Sequence, residues 1–297
     1  MKRWTLALIV LSCVLPGVVV AQQPQGAESA RRDFPVPSNV TVVRDVVYAE
    51  YGARQLKLDV YLPPRRDRRP AAPGVLVVRG GGWRAGDKEF FGFIAGQLAK
   101  EGFVAASIEY RTVQEAKFPA AEHDVKAAVR WMRSHAATYA VDPKAIGAIG
   151  GSAGAHLVAL LATSTGVKEL EGAGGNAGVS SQVQAVVAMA CVCVIDAQTA
   201  KALGSDANAH AIESASPVTY VSRGSAPLLL LHSPTDPLVP FELSVEMEAR
   251  YRRAGAQVTL TKVDAPNTHG FWLQTPYFPD TIKRTSDFFR SHLGPKS

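Results

Sequence analysis

Three side chains far apart along the chain have the types and surroundings that acyl transfer needs: Ser152, Asp236 and His269. Ser152 lies in Gly150-Gly151-Ser152-Ala153-Gly154, a G-x-S-x-G pattern between a strand-like run, Ile146–Ile149, and a helical run, His156–Ala162. A strand that turns sharply into a helix forces its serine into a strained conformation at the rim of a sheet, where the hydroxyl is exposed. Small residues at Gly150, Ala153 and Gly154 permit that turn without clashes. The helix N-terminus adds free amides and partial positive charge. His269, in Thr268-His269-Gly270-Phe271, is the expected general base. Asp236, in His232-Ser233-Pro234-Thr235-Asp236-Pro237, is expected to fix the imidazole tautomer and stabilise its charged form. The chain order Ser, Asp, His is the one such a strand–turn–helix nucleophile requires.

An acyl-transfer intermediate carries an oxyanion, so backbone N–H groups must point at it. Arg79-Gly80-Gly81-Gly82-Trp83 follows the apolar run Val75–Val78, and glycines let the main chain approach without a Cβ in the way. Gly81 and Gly82, with the amide of Ala153, are the expected donors. Other titratable residues have duller readings. His123, His135 and His292 fall on helical segments, His156 lies one turn into the elbow helix, and His232 ends a strand. His210, Asp196 and Asp206 fall in an irregular stretch, and Asp264 shares a loop with His269.

The elements that must position these groups alternate. Val40–Tyr48 and Leu56–Tyr61 suit an antiparallel hairpin at a sheet edge. Beyond them Val75–Val78, Val104–Ile108, Ile146–Ile149, Val183–Met189, Leu228–Leu231 and Val258–Val263 read as strands. Several are near-continuous apolar runs, as strands buried on both faces must be. A helix opens at Pro119 with Ala121, Val125, Ala128, Val129 and Met132 on one face, and a last helix carries Ile282, Ser286, Phe289 and Leu293. This alternation predicts an α/β fold, a doubly wound and mostly parallel sheet in one domain over residues 40–297. Gly166–Ser181 reads as a Gly-rich surface loop, and Cys191–Arg223 as an irregular stretch suited to a short lid.

Several segments resemble one family. These are Gly80-Gly81-Gly82-Trp83-Arg84-Ala85-Gly86-Asp87-Lys88, Tyr110-Arg111, Lys117-Phe118-Pro119-Ala120, Asp124 to Trp131 and Gly150 to His156. They look like the bacterial acetyl esterase/lipase branch of α/β-hydrolases, within it the acetyl-xylan and feruloyl esterase-like group. Ser216-Pro217, Asp236-Pro237-Leu238-Val239-Pro240 and His269-Gly270-Phe271 extend the likeness, which runs from Val40 to the C-terminus. The resemblance implies ester hydrolysis without metal or organic cofactor, in an open cleft with little cap. One departure stands out: the family usually has His where this chain has Arg79. That side chain is expected to brace the glycine loop, which arginine could do through hydrogen bonds to carbonyls.

The chain has 297 residues, 47% hydrophobic and 20% charged, which excludes a disordered protein. Lys2 and Arg3, an apolar stretch from Leu6 to Val20 and small residues at Val19-Val20-Ala21 read as a signal peptide over residues 1–21. The stretch holds a Pro-Gly pair and is short for a membrane span. Cys13 makes a poor lipoprotein site. Residues 22–39 read as a flexible lead-in. Secretion or periplasmic export is therefore expected, with no stable membrane span after cleavage. The formal charge of +6, less Lys2 and Arg3, leaves a mild +4. Its densest cluster, Arg65-Arg66 with Arg68-Arg69, has no interleaved aromatics, so no nucleic-acid partner is expected. Cys191 and Cys193 are too few for a zinc site, and a bridge across one residue would be strained, so buried packing is expected. The expected function is a carboxylesterase for small acyl esters, acetyl groups on polysaccharides among them. An exopeptidase using the same three residues, or a non-catalytic binder on a disabled hydrolase frame, are the alternatives.

Overall fold

The strands run in chain order as β1 (Thr41–Tyr51), β2 (Arg54–Leu62), β3 (Ala72–Val78), β4 (Val104–Ile108), β5 (Val141–Gly151), β6 (Ala185–Met189), β7 (Leu228–His232) and β8 (Val258–Lys262). A computed structural model describes residues 33–64 and 71–294. The expected signal peptide, most of the lead-in and the Arg65–Arg69 cluster lie outside these described residues. The strands form one sheet in the order β1-β2-β4-β3-β5-β6-β7-β8. β1 pairs antiparallel with β2, and β2 with β4, while β3 to β8 pair in parallel. The doubly wound α/β sheet expected from the alternation is therefore present.

The central strands are apolar because both faces are covered. Val75, Leu76, Val77 and Val78 are buried, as are all five residues of β4, β6 and β7. One face packs against the helix Ala120–Ser134, the helix Ala153–Thr163 and the helix Glu242–Ala254. The other packs against Gly92–Lys100 and Phe278–Leu293. Every residue of Ala153–Thr163 is buried. Its Leu157, Val158, Leu160 and Leu161 each contribute roughly 2 kcal/mol of apolar burial.

The order of the strands decides where a site can form. From β3 the chain crosses to β4 on one side, and from β5 onward it runs the other way. The loops leaving β3 and β5 thus diverge and open a crevice at the carboxyl ends of two paired strands. Val78 and Gly150, the last β3 residue and its register partner, sit side by side there.

Three expectations change. Cys191 and Cys193 are buried, as read, but they are bridged to each other, with their Cα atoms 5.2 Å apart. The chain has already left β6 at Met189, and Ala190 turns through a positive φ of 49°. The pair therefore does not sit on an extended strand, and its separation falls in the range a bridge spans. The stretch expected to be irregular holds two short helices, Ala197–Ala202 and Ala209–Ala215. Asp196 and Asn208 cap them, accepting from Thr199 N at 2.7 Å and Ala211 N at 2.8 Å. Residues 33–39 of the lead-in pack on the body: the Phe34 and Phe278 rings lie 4.4 Å apart, and Gln97 Nε2 donates to Pro35 O at 3.2 Å.

The loop Gly166–Ser181 is fastened as well. It carries a helical turn, Lys168–Glu171, and Arg130 donates to Glu171 O at 2.9 Å and Gly175 O at 3.1 Å. Buried Lys126 donates to Glu171 Oε1 at 2.9 Å and Ser164 O at 2.8 Å.

Candidate active site

Ser152 occupies the junction of β5 and the helix Ala153–Thr163 with φ 56° and ψ −120°. A non-glycine residue in that region carries backbone strain of about 1–3 kcal/mol, held only because its surroundings leave no alternative. Those surroundings are tight. A Cβ on Gly154 would lie 2.2 Å from Val78 O, and one on Gly150 would lie 2.3 Å from Gly154 O. The Ser152 amide donates to Met189 O at 2.8 Å, tying the turn to the end of β6.

The three side chains singled out from the sequence meet here. His269 Nε2 lies 2.9 Å from Ser152 Oγ, and His269 Nδ1 lies 2.8 Å from Asp236 Oδ2. Asp236 comes from the loop after β7 and His269 from the loop after β8, both at the carboxyl ends of their strands. The Asp236 carboxylate is fully buried, and its Oδ1 accepts from the amides of Leu238 at 2.8 Å and Val239 at 2.9 Å. Burial works to raise its pKa. The neighbouring His232 ring and the hydrogen bonds from His269 and the Val239 amide outweigh it and hold the carboxyl well below the usual carboxylate range. An ionised carboxylate at Nδ1 keeps the proton on that nitrogen. Nε2 is left with its lone pair facing the Ser152 hydroxyl, the arrangement a general base requires.

His232, read from sequence as the end of a strand, supports the acid. Its Nε2 faces Val239 O at 3.0 Å, which can only accept, and lies 3.6 Å from Asp236 Oδ2. Its Nδ1 takes the Ser244 hydroxyl at 2.7 Å. The ring is fully buried and fixed at both nitrogens.

The glycine loop lies directly against Ser152. A Cβ on Gly80 would sit 3.5 Å from Ser152 Cβ and 2.9 Å from Gly151 O. Gly81 has φ 105°, and a Cβ there would lie 2.1 Å from Ala85 O, so only glycine fits. Gly81 O accepts from the amides of Arg84 at 3.0 Å and Ala85 at 3.1 Å. The amides of Gly81, Gly82 and Ala153 donate to no protein acceptor among the described residues. Arg79 braces the loop through carbonyls, as expected: Nη1 donates to Gly80 O at 3.1 Å and to Ala85 O, and Nη2 to Tyr110 O at 3.4 Å.

Trp272 was not legible as part of the site. Its ring meets His269 edge-on at 5.6 Å, and a Cβ on Gly151 would strike it at 2.7 Å. The only signal was its position three residues after His269. Tyr110 stands in a segment that carries the family resemblance, but nothing in the sequence assigns it a place beside the glycine loop. Its hydroxyl lies 3.2 Å from Arg79 O and 3.3 Å from Gly80 O, and its ring carries the Arg79 guanidinium at 3.9 Å. The residues read as structural stay so: His123 Nε2 bonds to Glu169 O at 2.9 Å, and Asp196 is a helix cap. Among the described residues no group of three or more His, Cys, Asp or Glu is arranged to hold a metal ion, and no helix is long and apolar enough to cross a membrane.

Comparison with known proteins adds relatives to this geometry. The profile of the BD-FAE family matches residues 58–251. Esterase LipQ of Mycobacterium tuberculosis is 31% identical over 242 residues, covering 76% of this chain and 56% of its own. The chain thus spans about half the length of the curated relatives it matches. Among solved structures, a truncated carbohydrate esterase from gut microbiota superposes with a TM-score of 0.74 at 30% identity, covering 84% of this chain and 95% of its own. The butyrate-bound thermophilic esterase Est2 of the planctomycete Thermogutta terrifontis superposes with a TM-score of 0.75 at 27% identity, covering 88% and 97%.

Proposed function

The chain belongs to the BD-FAE family of α/β-hydrolases, and we propose that it is a serine carboxylesterase acting on small acyl esters. One observation carries the reading: the Ser152–His269–Asp236 chain of contacts at 2.9 and 2.8 Å, beside a glycine loop whose Gly81 and Gly82 amides donate to no protein acceptor among the described residues. Ser152 Oγ attacks the ester carbonyl carbon as its proton passes to His269 Nε2. Asp236 stabilises the imidazolium that forms. The tetrahedral oxyanion takes hydrogen bonds from the amides of Gly81, Gly82 and Ala153, donors that no protein acceptor among the described residues occupies. Collapse breaks the ester C–O bond, and His269 returns the proton to the leaving alcohol. Water then loses a proton to His269 and attacks the acyl-serine, which releases the carboxylic acid and restores the hydroxyl.

Substrate and compartment follow from separate features. The carbohydrate esterase and the butyrate-bound esterase among the structural relatives support short acyl groups, with acetyl esters of polysaccharides as the first class to test. The basic start and apolar run of residues 1–21 support export, out of the cell or into the periplasm, and a Cys191–Cys193 bridge suits an oxidising compartment. The deciding experiment labels the protein with a fluorophosphonate and measures turnover of p-nitrophenyl esters from acetate to octanoate, acetylated xylan and an aminoacyl-nitroanilide. Labelling at Ser152, loss of both signals in Ser152→Ala with the fold retained, and preference for acetate support the proposal. A folded protein that is neither labelled nor active would indicate a binder, and preference for the anilide an exopeptidase.

A further inference from the structure

Arg79 is 2% exposed, yet it forms no ion pair among the described residues, and its Nε has no hydrogen-bond partner. A buried cation without a counter-charge costs several kcal/mol unless something repays it. Its surroundings repay only part: three carbonyl oxygens, those of Gly80, Ala85 and Tyr110, and the face of the Tyr110 ring at 3.9 Å. Bracing alone does not need a permanent charge, because a neutral donor could reach the same carbonyls.

The position of the charge suggests its use. The Gly80 carbonyl that accepts from Nη1 at 3.1 Å belongs to the same peptide unit as the Gly81 amide. A cation at the oxygen end of a peptide draws electrons from its nitrogen end and makes the N–H a stronger donor. The Tyr110 hydroxyl, 3.3 Å from the same oxygen, can add to the effect. The next unit is treated similarly, since Gly81 O accepts from two amides and its partner N–H is that of Gly82. Both amides that the esterase reading assigns to the oxyanion thus belong to peptides polarised from behind, one of them by a full charge in a low-dielectric setting.

We propose that Arg79 is a positioning residue whose buried guanidinium charge polarises the Gly80–Gly81 peptide and so stabilises the oxyanion of ester hydrolysis through the Gly81 amide. The inference rests on the esterase reading. The charge acts where negative charge develops and little in the ground state, so its loss should fall on kcat and not on KM.

The test compares the wild type with Arg79→Gln and Arg79→Lys in p-nitrophenyl acetate hydrolysis at pH 8, and in inhibition by a trifluoromethyl ketone, which forms an anionic adduct at serine. For Arg79→Gln we expect kcat about tenfold lower, KM within about twofold, and ketone affinity reduced in step with kcat. Arg79→Lys, which keeps the charge but not the planar fork, should retain most of kcat. Should the Gln variant not fold, Arg79→His at pH 8 replaces it, with the same tenfold loss expected. Wild-type kcat and ketone affinity in a folded neutral variant would overturn the proposal. So would a Lys variant as slow as the neutral one, or equal changes in KM and kcat. A wild type that neither turns over esters nor reacts with a fluorophosphonate would remove the esterase reading first, and this inference with it.

Discussion

The indole Nε1 of Trp83 donates to Nδ1 of His156 at 3.2 Å, and the opposite nitrogen of that imidazole faces Ala215 O at 2.8 Å. One fully buried ring thus links the glycine loop, the helix that follows Ser152 and the end of the helix Ala209–Ala215. Trp83 can only donate, so Nδ1 must carry a lone pair and the proton sits on Nε2. The link exists only while His156 is neutral.

Burial lowers the His156 pKa from 6.5 to about 4, against a smaller opposing effect of the Ala215 carbonyl. The unfolded chain therefore takes up this proton at a higher pH than the native one. Stability falls as pH drops from about 6.5 to about 4, by up to roughly 3 kcal/mol, and levels off below. Asp236, whose pKa is depressed, contributes at the acid end instead: its share is lost only as pH falls below the ordinary carboxylate range. Urea unfolding of the wild type and His156→Gln at pH 7 and pH 4.5 checks this. The variant should be less stable at pH 7 and should lose much less on acidification. Equal losses would assign the acid sensitivity elsewhere.

Replacing Asp236 by Asn leaves the packing nearly unchanged but removes the acceptor that holds the proton on His269 Nδ1. With the imidazole in the wrong tautomer, kcat should fall by about 10³–10⁴-fold with little change in KM. Single-turnover hydrolysis of p-nitrophenyl acetate at pH 7 measures it. Wild-type acylation by Asp236→Asn would disqualify this carboxylate.

Glu122 is fully buried, and neither carboxylate oxygen has a hydrogen-bond partner. Burial raises its pKa well above the usual carboxylate value, an effect that Lys126 opposes and Glu171 adds to. The native state thus keeps a proton that the unfolded chain releases, so the penalty grows as pH rises past the unfolded value. Glu122→Met, similar in size and apolar, should stabilise the fold by about 1–3 kcal/mol at pH 7 and by less at pH 4. Paired thermal melts at the two pH values decide it.

The Cys191–Cys193 bridge closes a very small ring beside the helix that follows Ser152, where Cys191 Sγ lies 3.8 Å from Ala155 O. A ring of that size restricts the unfolded chain only modestly, so Cys193→Ala should cost roughly 1–2 kcal/mol. Alkylation of the denatured protein before and after reduction, read by mass, should show two thiols in this segment released only by reductant.

The site was largely legible because its chemistry dictates local backbone. An exposed strand-to-helix serine needs small neighbours, and Gly150, Ala153 and Gly154 announce it. Strands buried on both faces announce themselves as unbroken apolar runs, so Val104–Ile108 was read with the bounds it has. The two short helices before Pro217 were missed because six or seven residues are too few to show a helical period. Only their caps, Asp196 and Asn208, carried the signal. The Cys191–Cys193 bridge depends on how Ala190 turns the chain off its strand, a backbone detail that strand alternation does not reveal. Tyr110 and Trp272 enter the site through tertiary packing alone, and spacing cannot report that.

The ladder between β3 and β5 has a consequence for how this scaffold can change. Val78 faces Gly150 in register, so the glycine loop that follows β3 and the turn that carries Ser152 share one hydrogen-bonded frame. The residues between Met189 and Leu228 join the neighbouring strands β6 and β7 and are tied to the loop after β3, where Arg84 Nη2 donates to Ala202 O at 3.2 Å. Changes in that connection therefore reach the glycine loop through Ala202 and the buried His156 ring through Ala215, while the β3–β5 ladder itself stays intact.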